Sequence, residues 1–86
     1  MDRIIITDVE YVKENILNIT FNNDMKFDVN FDEILELPAF LDLKPKDNFI
    51  QFGLVNGTLE WYNGADLAPE YIYKLALKQN KNTILT

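Results

Sequence analysis

The 86-residue chain contains no cysteine, no histidine and no serine. Disulfides, thiolate nucleophiles, Ser-His and Cys-His dyads and zinc-type ligand sets are thereby excluded. Any catalysis would have to come from Asp, Glu, Lys, Tyr or Thr. No apolar stretch approaches the ~20 residues needed to cross a bilayer. The opening Met1-Asp2-Arg3 is unlike a signal peptide, so a cytoplasmic location is the default expectation. Glycine and proline are scarce, three of each, so each marks a specific place in the chain.

What is present is enough apolar material for a single core: 48% hydrophobic and 13% aromatic residues, with one tryptophan. That composition is globular rather than disordered. The net charge of −6 is uneven. Residues 1–43 carry three basic and ten acidic side chains, and residues 44–86 carry five and four. An acidic balance repels phosphate backbones, which argues against direct nucleic-acid binding and otherwise serves solubility.

Three strands are expected first. Residues 4–12 place Ile5, Thr7, Val9 and Tyr11 on one face, with a turn at Lys13-Glu14-Asn15. Leu17, Ile19 and Phe21 then alternate with Ile16, Asn18 and Thr20. After a turn at Asn22-Asn23-Asp24, Met25, Phe27, Val29 and Phe31 point inward between polar neighbours. A period of two in successive segments predicts an antiparallel meander with one buried face.

Asp32 is placed to cap a short helix over Glu33–Glu36, which Pro38 stops. Phe40, Leu41 and Leu43 pin the following connection to the core, and Pro45 keeps it from being helical throughout. Asn56-Gly57 predicts a hairpin between strands at 49–55 and 58–62. Ile50, Phe52 and Leu54 share one face of its first strand, and Leu59 and Trp61 share one face of its second. Pro69 opens a last helix that runs to Gln79.

The predicted fold is α+β: a small antiparallel sheet, built as a three-stranded meander plus a hairpin, with a short helix and a C-terminal helix packed on it. Residues 1–80 form one domain and residues 81–86 a tail.

The stretch Trp61-Tyr62-Asn63-Gly64-Ala65-Asp66-Leu67-Ala68-Pro69-Glu70 resembles the signature of a bacterial family, domain-of-unknown-function family 2442, whose fold is named after the N-terminal domain of a Nitrosomonas protein. In that family a Trp-Pro-Asn-Gly-Ala-Asp-type stretch precedes a Pro-Glu that opens the final helix. Tyr62 stands here where proline is common, which would extend the strand by one residue. Ala68 replaces the usual Ser or Asp, leaving Asp66 to satisfy the free helix N–H groups. The resemblance implies a fold but no established activity. Family members occur alone, fused to a helix-turn-helix domain, or beside another small gene in toxin–antitoxin-like pairs. With the sequence ending soon after the signature helix, no fused DNA-reading module is expected, and the resemblance then implies an antitoxin-like partner of a neighbouring small protein.

Each candidate site has a structural counterpart. Trp61 offers a stacking surface or a core anchor. Asn63-Gly64 offers a backbone anion nest or plain turn geometry. Asp66 and Glu60 form a carboxylate pair with no third group to complete an acid–base mechanism. Asp24/Asp28 and Glu33/Glu36 lack the spacing of a calcium loop, so no cofactor or metal is expected.

On the last helix Glu70, Lys74 and Lys78 make one polar stripe. At ~3.6 residues per turn, Tyr73 and Leu77 fall beyond the Ile72/Leu75/Ala76 face. Two readings stay open for them: contact with a partner or a second subunit, or cover by the Phe40–Leu43 loop. Tyr73, Leu77 and Lys74 are the candidate partner contacts. Trp61, Asn63, Gly64, Asp66 and Pro69 are assigned mainly to structure.

The functional expectation is a non-catalytic protein-interaction module whose partner is another small protein or a second copy of itself. A nucleic-acid-associated regulatory domain is the alternative, and a small ligand-binding protein a third.

Overall fold

The computed structural model describes residues 3–80; the expected tail at 81–86 lies outside them. Strands β1 (Ile6–Lys13), β2 (Ile16–Phe21) and β3 (Lys26–Asn30) form one antiparallel sheet in the order β1-β2-β3. Two 3-10 helices (Ile34–Glu36 and Pro38–Leu43) and a one-turn α1 (Lys46–Phe49) make the connection. A second antiparallel sheet, β4 (Phe52–Val55), β5 (Thr58–Trp61) and β6 (Asp66–Leu67), leads into α2 (Pro69–Gln79). The α+β class holds, and the expected hairpin is in fact a three-stranded sheet, because the short β6 pairs Leu59↔Leu67 and Glu60↔Asp66.

The meander forms for the expected reason. Leu17, Ile19 and Phe21 on β2 and Phe27 and Val29 on β3 are buried, while their neighbours are not. Each such side chain contributes about 1.5–3 kcal/mol by leaving water, a large share of the ~5–15 kcal/mol that holds a domain together. Met25 departs from this pattern and is 41% exposed. It lies in the β2–β3 turn, where its carbonyl accepts from Phe21 N–H (2.9 Å) and its N–H donates to Asn23 Oδ1 (3.0 Å). Asp24 supplies the left-handed residue of that turn, with φ +68°.

On β1 the single inward face of Ile5, Thr7, Val9 and Tyr11 gives way to a bulge. Ile6 pairs with Phe21 and Asp8 with Thr20, leaving Thr7 as the extra residue. An inserted residue reverses the alternation. Ile6 is therefore buried, Thr7 is exposed, and Val9 and Tyr11 still face the core.

The connection corrects three expectations. Ile34–Glu36 is a 3-10 turn without a side-chain cap; Asp32 Oδ1 instead accepts from Asn15 Nδ2 (2.8 Å), joining the two ends of the β2–β3 hairpin. Phe40 and Leu43 are buried as expected, whereas Leu41 faces solvent. Pro45 stands between the second 3-10 helix and α1. Phe49 is fully buried on α1 rather than in a strand, so β4 begins at Phe52 and Ile50 and Leu54 remain exposed. An exposed ion pair, Lys44 Nζ to Glu36 Oε2 at 2.9 Å, links the two 3-10 helices. At this exposure it is worth at most about 1 kcal/mol.

The two sheets meet where β1 passes β4. Ile6 N–H donates to the Gly57 carbonyl at 3.0 Å. Asn56 and Gly57 both have positive φ, +53° and +80°, as a tight two-residue hairpin of the primed type requires. Gly57 is constrained a second time, since a Cβ there would lie 2.8 Å from Ile5 Cβ. Gly64 has φ +88°, yet nothing lies within 4 Å of its would-be Cβ. Gly64→Ala should therefore cost only the left-handed penalty, about 1–2 kcal/mol. Gly57→Ala should add the clash with Ile5 and reach roughly 2–4 kcal/mol. Urea denaturation of the two variants checks this, and equal losses would show that Gly57 is held by turn geometry alone.

Candidate functional site

Trp61 is 2% exposed, and its indole Nε1–H donates to the Phe49 carbonyl at 2.8 Å. Its ring lies stacked on Phe49 (6.1 Å between centroids) and edge-on to Phe31 and Phe40. Aromatic pairs at these separations add roughly 0.5–1.5 kcal/mol each beyond area burial. The tryptophan thus joins β5, the residue just past β3 and the connecting segment from the inside and presents no stacking surface.

The turn after it is closed in the same way. Gly64 N–H donates to the Trp61 carbonyl (2.9 Å), Ala65 N–H donates to Asn63 Oδ1 (3.1 Å), and Trp61 N–H donates to the Ala65 carbonyl (2.8 Å). Two of the N–H groups that an anion nest would use, those of Gly64 and Ala65, are taken within the turn. β5 stops at Trp61 and is not extended by Tyr62, which is exposed in the turn with its N–H on the Gln51 carbonyl (3.0 Å).

Asp66 does not cap the last helix. Ala68 is the N-cap residue and the helix has no side-chain cap. The Ala68 carbonyl instead takes Tyr71 N–H (3.1 Å) and Ile72 N–H (3.2 Å), with Pro69 at the first helical position. Proline there has no N–H to leave unsatisfied. Asp66 sits exposed on β6 directly across from Glu60. Among the described residues no three acidic side chains gather as metal ligands.

Helix α2 buries Pro69, Ile72 and Ala76. One flank turns toward the meander: the Tyr73 ring lies edge-on to Phe21 at 4.9 Å and to Phe27 at 6.2 Å, and its hydroxyl accepts from Asn23 Nδ2 at 3.0 Å. Leu77, half-buried, also packs against the core. The β2–β3 hairpin, not the Phe40–Leu43 loop, is what meets Tyr73.

Among the described residues nothing fills the opposite flank. Asn30, Asp32, Glu33, Leu75, Lys78 and Gln79 line a cleft of ≈ 450 Å³ between the helix and the corner after β3. A smaller hollow of ≈ 240 Å³ adjoins it and adds Tyr71 and Lys74 to Glu33, Leu75 and Lys78. Tyr71 is 48% exposed. Of the three candidate partner contacts, only Lys74 lines this surface. Leu75 is half-buried against the core, as its place on the Ile72/Leu75/Ala76 face implies, and its remaining surface borders the cleft; Tyr71 and Glu33 are not among the candidate contacts expected from the sequence. The signal was the excess of apolar residues on α2, but periodicity alone does not say which of two flanks the sheet will cover.

These features define a small α+β domain whose signature tryptophan is buried in the core. The chain belongs to the family DUF2442, described as proteins of unknown function, whose model matches residues 6–78. No curated protein and no solved structure matches the chain. No helix among the described residues is long and apolar enough to cross a membrane.

The two signature residues should separate sharply by mutation. Trp61→Ala should cost ~3–5 kcal/mol, because it opens a cavity and orphans the Phe49 carbonyl. Asp66→Ala should stay within about 0.5 kcal/mol of the parent, since it removes an exposed carboxylate facing another. Thermal unfolding monitored by circular dichroism checks both. A loss above about 1 kcal/mol for Asp66→Ala would restore a capping role.

Proposed function

We propose that this chain is a non-catalytic protein-interaction module, the antitoxin-like half of a pair with a neighbouring small protein. The observation that carries it is the division of α2: one flank packs on the meander, while Tyr71 and Leu75 border an open cleft. A half-exposed tyrosine beside a cleft is the kind of anchor on which protein contacts concentrate binding energy. The walls carry both charge signs, Lys74 and Lys78 from the helix and Asp32 and Glu33 from the corner. Mixed charge of this sort favours register with a protein surface over attraction to a polyphosphate. Lys74 belongs to the contact surface in this reading, and Tyr73 and Leu77 hold the helix from beneath.

The absence of Ser, His and Cys and the Gly64 and Ala65 N–H groups taken within the turn support the non-catalytic part. Co-expression with the product of the adjacent open reading frame tests the whole. Tyr71→Glu combined with Lys74→Glu should weaken the complex by roughly 2 kcal/mol or more, about thirtyfold in Kd, with the melting temperature nearly unchanged. Undiminished co-purification, or a strictly monomeric protein that captures nothing from that partner, would remove the proposal.

A further inference from the structure

The chain holds two Asn-Gly pairs, Asn56-Gly57 and Asn63-Gly64, and both asparagines are exposed. A backbone nitrogen reaches the side-chain amide of the residue before it most readily when it belongs to glycine, which has no Cβ to hinder the approach. The structure separates the two pairs. Gly64 N–H is donated to the Trp61 carbonyl at 2.9 Å, and Asn63 Oδ1 holds Ala65 N–H at 3.1 Å. Both groups that would react there are tied into the turn. In the other hairpin the pairing ends at Val55↔Thr58. Among the described residues no backbone bond engages Gly57 N–H, and Asn56 is the left-handed residue beside it.

We infer that Asn56 is a site of spontaneous deamidation, and that its β-linked product uncouples the two sheets. The Gly57 nitrogen gives up its proton and bonds Asn56 Cγ, and the Cγ–Nδ2 bond breaks to release ammonia. Water then opens the cyclic imide at one of its two carbonyls. Opening at Cγ leaves an aspartate in an ordinary chain. Opening at the main-chain carbonyl leaves Gly57 bonded through Cγ, an isoaspartate with one more atom in the backbone. Either product carries one more negative charge. A primed two-residue turn closes only on the usual backbone spacing, so the isoaspartyl form displaces Gly57 and the aspartyl form does not. Gly57 is the junction between the sheets. Its carbonyl takes Ile6 N–H at 3.0 Å, and its Cα packs too closely on Ile5 to admit a side chain. The change acts at this junction and is independent of what fills the cleft beside α2.

Incubation of the full chain at mildly alkaline pH, followed by peptide mapping, is the test. Asn56 should convert at least about tenfold faster than Asn63, the equivalent of one retained hydrogen bond. Chromatographically separated isoaspartyl protein should exchange its Ile6 amide about tenfold faster than the parent and melt at a lower temperature. The Asn56→Asp variant has the same atoms and charge as the isoaspartyl form and should match the parent in both. Asn56→Gly keeps a residue suited to positive φ and should show no such loss on incubation. The inference is overturned by an unmodified Asn56, by Asn63 converting as fast, by isoaspartyl protein with parental Ile6 exchange, by Asn56→Asp reproducing the loss, or by Asn56→Gly losing stability like the parent.

Discussion

The fold depends on one buried hydrogen bond and the rings around it. The Trp61 indole gives its only donor to the Phe49 carbonyl at 2.8 Å, and the same side chain packs against Phe31, Phe40 and Phe49. These four residues come from β5, from the segment just past β3, from the second 3-10 helix and from α1. A buried indole without a partner would cost about 1–3 kcal/mol, so the position of the Phe49 carbonyl is as necessary as the ring itself. The irregular connection can be irregular because its two phenylalanines are fixed to this centre rather than to a regular element.

Much of the architecture was legible in the sequence. The alternation of β2 and β3, the Asn56-Gly57 hairpin, the Gly64 turn and Pro69 at the start of α2 are local signals, each with a steric cause that acts over a few residues. The failures share a different cause. The bulge at Thr7 reverses the faces of β1, and it is set by pairing with Phe21 and Thr20, far along the chain. Asp32 and Asp66 look like helix caps, yet a cross-hairpin amide claims the first and a two-residue strand the second. Met25 continues an apolar alternation past the point where the strand has become a turn.

The candidate surface was legible only in part. The excess of apolar residues on α2 can be counted from the sequence, and Lys74, a candidate contact on the polar stripe, does border the hollow. The choice between the Tyr73/Leu77 flank and the Tyr71/Leu75 flank was not legible. It depends on the β2–β3 hairpin receiving Tyr73 through Phe21, Phe27 and Asn23. That is long-range information, and no helical periodicity contains it.

The same long-range dependence bears on synthesis. Ile6 finds its acceptor at Gly57, and Phe31 finds its ring partner at Trp61. At roughly 5–20 residues per second, the ribosome finishes the first three strands some seconds before it supplies what covers them. During that interval the nascent meander lacks the cover for its phenylalanines. The ten acidic side chains in that half of the chain, against three basic ones, give unfinished copies the same charge sign, and like charge opposes their association.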